Sequence, residues 1–168
     1  MAVTAALSTN SRLTFSLAEI PAIGQISQTV ELKNSRTVEN GTGAGQANAG
    51  WAARVTVAAG QVYSLDLTAL PMEAFNLAGK LTLSTLKDVI VVNNETAAGR
   101  YILYGVISPA DVTGYAARLN RGADYRWSDY QDGVAIGAGN KTVYIANPSN
   151  GSVTFDIALA GVGTYSDT

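Results

Sequence analysis

Apolar and polar residues alternate along much of the chain, with the period of two that is typical of half-buried β-strands. The clearest case lies near the C-terminal end, where Val153, Phe155, Ile157 and Leu159 alternate with smaller or polar residues. Shorter stretches with the same alternation surround residues 12–17, 29–33, 55–57, 63–67 and 141–147. The pattern predicts a strand at each of these places.

One stretch near the middle of the chain departs from this alternation. Val89, Ile90, Val91 and Val92 are consecutive apolar residues, and β-branched side chains favour a pleated strand. Because successive side chains of a strand point to opposite faces, this run needs cover on both faces. It therefore predicts a core strand that is central in a sheet or lies at a subunit contact. A second apolar run at 101–104 follows a loop with Gly99 at its exit, which predicts that the two runs pair antiparallel.

The residues around Pro71 suggest a different element. Proline is favoured at the first position of a helix and glycine just after its end, so Pro71 followed by Gly79 predicts one short helix near residues 71–78. About eight strands with Gly- and Pro-rich turns and a single short helix predict an all-β fold, a sandwich or a barrel. Periodicity does not distinguish a jelly roll from an immunoglobulin-like order of strands, but the absence of the Cys-Trp-Cys signature disfavours the immunoglobulin-like order.

The 168 residues favour one domain. We predict an N-terminal arm at residues 1–11, which is extended, and a single β-sandwich domain at residues 12–168. Within it, residues 39–50 are rich in glycine and small polar residues and cannot bury much apolar area. This segment is predicted to be a flexible loop.

Composition excludes several kinds of chemistry. The chain has no cysteine and no histidine, which excludes disulfides, thiolate nucleophiles, Ser-His-Asp catalysis and imidazole metal sites. A net charge of −2 argues against nucleic acid as a partner. No apolar run approaches the roughly 20 residues that span a bilayer, and the first residues lack the regions of a signal peptide. We therefore expect a non-enzymatic protein made in a cytoplasm, with no catalytic residue, cofactor, metal or membrane.

Two polar motifs have competing interpretations. The sequence GTGAG at residues 41–45 lacks the strand and helix of a nucleotide-binding loop, so a plain flexible loop is favoured. Asp124, Asp129 and Asp132 lie close together in the sequence, as calcium ligands often do. Their spacing does not match an EF-hand, and carboxylates that cap turns are the favoured interpretation.

Aromatic residues form the candidate interaction surface, which comprises Tyr125, Trp127, Tyr130 and Trp51. Tyr125 and Trp127 share a face if their segment is extended. They suit a platform for sugar rings, but a hydrophobic anchor in the core or against a neighbouring subunit is favoured. Hydrolysis by paired carboxylates is the weakest alternative, because Asp66 and Asp156 are predicted on outward strand faces.

Three segments carry a family resemblance: VYSLDLTALP, LSTLKDVIVVNNETAAGRYILYGV and NKTVYIANPSNGSVTFDIALAG. In these segments the chain resembles the jelly-roll capsid cement, or decoration, proteins of tailed double-stranded-DNA bacteriophages. The resemblance implies a virion protein that forms a homotrimer on the outer surface of an icosahedral capsid. Its implied partners are the major capsid protein and other copies of itself. A carbohydrate-binding or host-attachment module of a phage particle is the alternative.

Overall fold

The computed structural model describes residues 7–19, 26–74, 77–105 and 115–167. Within these ranges the chain is all-β, with antiparallel strands and no helix. The described residues form twelve strands, against about eight predicted from the turn pattern. In chain order they are β1 (Leu7–Glu19), β2 (Ile26–Val38), β3 (Ala49–Val57), β4 (Val62–Asp66), β5 (Leu70–Ala74), β6 (Leu77–Asn93), β7 (Tyr101–Gly105), β8 (Tyr115–Asn120), β9 (Asp124–Ser128), β10 (Val134–Ala135), β11 (Thr142–Ala146) and β12 (Val153–Asp167).

Two large sheets enclose the core, as a β-sandwich requires. The six-stranded sheet has the order β10-β6-β12-β3, with β5 and β9 also paired to β6, and the four-stranded sheet has the order β4-β11-β7-β8. Aromatic rings connect the two layers: Tyr63 packs edge-to-face on Phe155 at 6.0 Å, and Tyr104 lies 4.9 Å from Tyr125. The predicted all-β, sandwich-like fold is confirmed.

The strand pairs of the two sheets are nested along the chain. The pairs β3–β12, β4–β11, β6–β9 and β7–β8 are each antiparallel, and each pair lies inside the preceding one in sequence. Nested antiparallel pairs arise when one long hairpin is folded over on itself. The pairing therefore brings the two ends of this region, β3 and β12, together in one sheet.

The C-terminal strand β12 shows why the alternating pattern is informative. Its four large apolar residues are at most 3% exposed, whereas the residues between them are partly exposed. A shift of one residue would move all four side chains out of the core. The predicted strand and its inward face are confirmed.

Strand β6 is long and bent, and it pairs with β5, β9, β10 and β12. Its register with β12 shifts at two places, where Lys87 and Ser84 are extra residues opposite a continuous partner strand. Such bulges increase the twist and bend of a strand. Close packing at the first bulge depends on Gly161, where an added Cβ would overlap the carbonyl oxygen of Thr85.

The helix predicted near residues 71–78 is wrong. Residues from 70 onward form β5, which pairs with β6 in a register that places Pro71 opposite Lys80 and Ala74 opposite Leu77. The physical reason is tertiary: Leu70 and Leu81, which pair in the same register, are almost completely buried. Their burial overrides the weak local preference for a helix, and Pro71 is tolerated because β5 pairs on one side only.

The predicted pairing of the two central apolar runs is also wrong. Residues 89–92 lie in β6 of the six-stranded sheet, and residues 101–104 lie in β7 of the four-stranded sheet. The loop between them crosses from one layer to the other, and its length permits that crossing. Strand β1 begins at Leu7, inside the segment predicted as an extended arm, and pairs with β2 in a separate two-stranded sheet.

Candidate functional site

The outer face of the six-stranded sheet, which points away from the core, carries an unusual combination of residues. In the register of β9, β6, β12 and β3, Ile90 lies between Arg126 and Ala158, and Ala158 lies opposite Ala52. One step along the strands, Val92 lies between Asp124 and Asp156. The centre of this face is thus apolar, and charged residues lie beside it.

These apolar residues form a shallow depression of about 520 Å³. Its floor, which we call the apolar floor, consists of Ala52, Ile90, Val92 and Ala158. Ile90 and Val92 are partly exposed, whereas Val89 and Val91 on the opposite face are buried in the core. The predicted core strand therefore has one fully covered face and one that is incompletely covered.

An ion pair borders the apolar floor on one side. Arg54 donates from Nε and Nη2 to the two carboxylate oxygens of Asp156, at 2.7 and 2.8 Å. Hydrogen bonding to the Arg54 side chain, followed by that to Asn94, lowers the pKa of Asp156 to about 2. Asp156 lies on the outward face of its strand, as predicted, and it is paired with a side chain of the neighbouring strand β3.

The other side of the floor is bordered by a buried polar cluster. Asp88 is 3% exposed, and its Oδ2 accepts a hydrogen bond from the Tyr130 hydroxyl at 2.5 Å. Arg126 lies 3.4 Å from the same oxygen and donates to the Tyr130 hydroxyl at 3.1 Å. Burial of a carboxylate is tolerated where it is paired and hydrogen-bonded, so this cluster fixes the position of Tyr130 on the outer face.

Residues 39–48, between β2 and β3, cover this buried end of the outer face. The amide of Gly45 donates to the Tyr130 carbonyl at 2.8 Å, and Lys87, which is 2% exposed, donates to the Gly43 carbonyl at 2.8 Å. Asn48 exchanges two side-chain hydrogen bonds with Gly163, at 3.2 and 2.9 Å. The glycine-rich segment is thus attached to the sheet at several points. Its glycines serve a tight turn, in which Gly45 has a φ of 72°.

The four aromatic residues of the predicted interaction surface are separated by the fold. Trp51 is 8% exposed and donates to the Pro71 carbonyl at 2.8 Å, and Tyr130 is 4% exposed beneath the glycine-rich segment. Tyr125 and Trp127 lie opposite Val91 and Val89, on the core-facing side of β9, and are partly buried. Trp51 is therefore a core residue, and Tyr130 is buried on the outer face, apart from the main core. A contact of Tyr125 and Trp127 with another molecule stays a prediction.

The acidic residues that were candidates for metal binding or hydrolysis accept hydrogen bonds from neighbouring groups of the protein. Asp129 accepts backbone hydrogen bonds from Gln131 and Asp132 at 3.2 and 3.3 Å, as in a capped turn. Hydrogen bonding to Thr68 lowers the pKa of Asp66, with a contribution from Lys141. In the part of the chain that the structure describes, no group of three acidic side chains is placed to hold a metal ion.

Sequence reasoning missed Lys87 and Asp88 as functional candidates. Two consecutive charged residues directly before an apolar run are a signal, because charged side chains are seldom buried without partners. The partners Gly43, Arg126 and Tyr130 are distant in sequence from Lys87 and Asp88. Only the fold brings them together.

No protein-family model, curated protein or solved structure matches this chain. Among the described residues, no helix is long and apolar enough to cross a membrane.

Proposed function

We propose that this chain is a structural virion protein that binds the outside of an icosahedral phage head and stabilises the contacts between capsomers. The observation that carries the proposal is the apolar floor, which leaves Ile90 and Val92 partly exposed at the centre of the six-stranded sheet. Aliphatic residues at such a place favour contact with another protein. The proposed partners are the major capsid protein and other copies of the chain, arranged as a homotrimer.

The order of the strands supports a jelly roll as the finer description of the fold. A jelly roll has eight strands in two sheets, wound as a folded hairpin. The nested pairs β3–β12, β4–β11, β6–β9 and β7–β8 supply eight strands with that winding, and β5 and β10 add to the edge regions of β6. Viral capsid domains are among the proteins built in this way, and so are lectins.

Stabilisation by such a protein follows from mass action. A protein that binds the assembled shell and not its free subunits shifts the equilibrium toward the shell. A trimer makes three linked contacts, so its overall affinity exceeds that of a single weak contact. This role requires no catalytic group, and it agrees with a surface of low charge.

The proposal is tested with expanded phage capsids that lack this protein. Addition of the purified protein should raise the melting temperature of expanded shells, and mass photometry should show trimers of the 17.4 kDa chain. The Ile90→Lys variant, changed on the apolar floor, should bind weakly. The matched control Val62→Lys changes a residue that is 52% exposed on the other sheet and should bind normally. A monomer that leaves the shells unchanged would refute the proposal.

The glycan-binding alternative has less support. A sugar platform needs exposed aromatic faces, whereas Tyr125 packs against Tyr104 and Trp127 packs against the core. A glycan array with wild-type protein and the Trp127→Ala variant separates the two functions. Binding that is lost with Trp127 would favour the alternative.

A further inference from the structure

The six-stranded sheet has an edge strand on each side, β3 on one and β9 on the other. Among the described strands, β3 pairs only with β12, and β9 pairs only with β6. Each of these strands therefore presents a row of backbone N–H and C=O groups with which a further strand can pair.

The residues of β9 that supply this row follow from its hydrogen bonds with β6. In an antiparallel pair, alternate residues of a strand bond to the partner. The amide of Asn93 in β6 donates to the Ala123 carbonyl at 2.9 Å, so Tyr125 and Trp127 also bond to β6. The residues of β9 that direct their backbone groups outward are Asp124, Arg126 and Ser128.

The same alternation identifies the outward residues of β3. The amide of Asn94 donates to the Thr154 carbonyl at 3.0 Å, so Phe155, the next residue, directs its backbone groups toward β3. Phe155 lies opposite Val55. The residues of β3 that direct their backbone groups outward are Gly50, Ala52, Arg54 and Thr56.

The core-facing side chains of the two edge strands are incompletely covered. Four of them pack against the core and are partly exposed: Ala53 and Val55 in β3, and Tyr125 and Trp127 in β9. A strand added at either edge would continue the core-facing side of the sheet and cover these residues.

The charges on the outer sides of the two edges are complementary. Arg54 binds Asp156 through Nε and Nη2, which leaves Nη1 without a hydrogen-bond partner in the described part of the chain. Its side chain is 69% exposed. Asp124 of β9 is exposed and has no ion pair within the described ranges. The two side chains can pair across strands when β3 and β9 come from different copies.

We propose that β3 of one copy of this chain pairs antiparallel with β9 of the next copy, in the register that places Arg54 opposite Asp124. Both residues direct their backbone groups outward, as a hydrogen-bonded pair of an antiparallel ladder requires. One step along the strands, Ala53 lies opposite Tyr125, so a small core-facing side chain meets a large one. The contact continues the six-stranded sheet from one copy into the next.

Other registers fit less well. A shift of one residue would place the core-facing side chains of β9 on the outer face. A shift of two residues in one direction would place Arg54 opposite Arg126, and like charges that are directly opposite are destabilising. The same shift in the other direction would place Asp124 opposite Ala52, which loses the ion pair.

The proposed contact joins two different edges, so copies associate head to tail. Such contacts close into a ring when the rotation between copies permits it, and a ring of three is a homotrimer. This inference deepens the proposed function and rests on it only for the number of copies.

Cysteine cross-linking tests the contact, because the chain has no cysteine of its own. The register places Gly50 opposite Ser128 of the next copy, with Cα atoms about 5.5 Å apart, within the range of a disulfide. Within one chain, β12 and β6 separate these two residues by about 14 Å, which excludes an internal disulfide. Oxidation of the Gly50→Cys, Ser128→Cys double variant should give covalent dimers and trimers on a denaturing gel.

The control for the register keeps one cysteine and moves the other. Thr56→Cys replaces Gly50→Cys and lies about 20 Å further along β3, so its combination with Ser128→Cys should stay uncross-linked. Equal cross-linking of the two pairs would overturn the inference. A folded Gly50→Cys, Ser128→Cys variant that forms no disulfide would overturn it as well, and circular dichroism checks the fold.

A charge reversal gives a second measurement in a chain without cysteine. Asp124→Lys should weaken association by roughly tenfold or more in sedimentation equilibrium, because repulsion from Arg54 replaces attraction at each contact. Asp132→Lys makes the same change of charge at an exposed residue outside β9 and should associate like wild type. Equal association of the two variants would overturn the inference.

These experiments contain no shells, so they separate the inference from the proposed function. A chain that cross-links between copies and ignores shells would overturn the proposed function and leave the inference standing. Shell binding by a chain whose Gly50→Cys, Ser128→Cys variant does not cross-link would overturn the inference alone.

Discussion

Tyr130 donates its hydroxyl to the buried carboxylate of Asp88 at 2.5 Å, across 42 residues of sequence. This hydrogen bond joins the loop after β9 to the centre of β6, and the same loop accepts hydrogen bonds from Lys87 and Gly45 through the Tyr130 carbonyl. It thus connects the glycine-rich segment, the loop after β9 and the central strand in one cluster.

Removal of the Tyr130 hydroxyl should therefore destabilise the protein. We expect Tyr130→Phe to lower the free energy of unfolding by about 1–3 kcal/mol, because the buried Asp88 carboxylate loses its shorter hydrogen bond and keeps only the longer one from Arg126. Chemical denaturation followed by tryptophan fluorescence measures the change. Tyr144→Phe, at a partly exposed tyrosine of β11, is the control and should stay within about 0.5 kcal/mol of wild type. Equal effects of the two substitutions would contradict the role of the cluster.

Two isoleucines on opposite faces of the six-stranded sheet should respond differently to the same substitution. Ile157 is 1% exposed and faces the core, so Ile157→Ala should cost about 2–5 kcal/mol. Ile90 is partly exposed on the apolar floor, so Ile90→Ala should cost less in a dilute, unassembled chain. Equilibrium unfolding of both variants at one low concentration gives the comparison. A larger cost at Ile90 than at Ile157 would contradict the described burial.

The Arg54–Asp156 ion pair should add an acid-dependent contribution to stability. Its hydrogen bonds lower the pKa of Asp156 to about 2, below the ordinary value of 3.8. A lowered pKa in the folded state means that the contribution is present above the unfolded value and is lost as the pH falls from about 4 toward 2. The difference in stability between wild type and Asp156→Asn should therefore shrink over this interval. If the difference in stability stays constant over this interval, the lowered pKa of Asp156 does not contribute to stability. Asp132→Asn, at an exposed aspartate, is the control.

The close approach of β12 to β6 should make Gly161 sensitive to any side chain. A Cβ at this position would overlap the Thr85 carbonyl oxygen and lie 3.2 Å from the Cα of Leu86. We expect Gly161→Ala to cost about 1–3 kcal/mol, since backbone atoms must move to admit it. Gly139→Ala has open space around the added atom and should be nearly neutral. Thermal unfolding of the two variants measures the contrast, and equal melting temperatures would show that the bulge is free to relax.

The alternation of apolar and polar residues predicted the strands correctly where one face of the strand is buried. The alternation at residues 153–159 gave both the strand and its inward face, because burial of Phe155 and Ile157 imposes the same period as the pleat. The segment after Pro71 was wrongly predicted to be a helix. A proline followed by a glycine at this spacing also suits an edge strand that turns back to pair with the next strand. What decides between the two is the burial of Leu70 against distant strands.

The outer face of the six-stranded sheet could be predicted from the sequence only in part. The run of four apolar residues indicated that both faces of β6 require cover, and the structure assigns the incomplete cover to Ile90 and Val92. The buried cluster around Asp88 depends on partners more than 35 residues away, so no local pattern reports it. The four aromatic residues were grouped by composition, and the fold distributes them over the core and the outer face.

Strand β12 lies between β6 and β3, yet it follows both in the chain by more than 50 residues. During synthesis, β3 and β6 therefore emerge from the ribosome well before the strand that joins them. Pairing of such remote segments is slow, and unpaired strand edges are prone to aggregation in the meantime. The edges of β3 and β6 that β12 later covers therefore stay open to pairing with other chains until the last strand has been made.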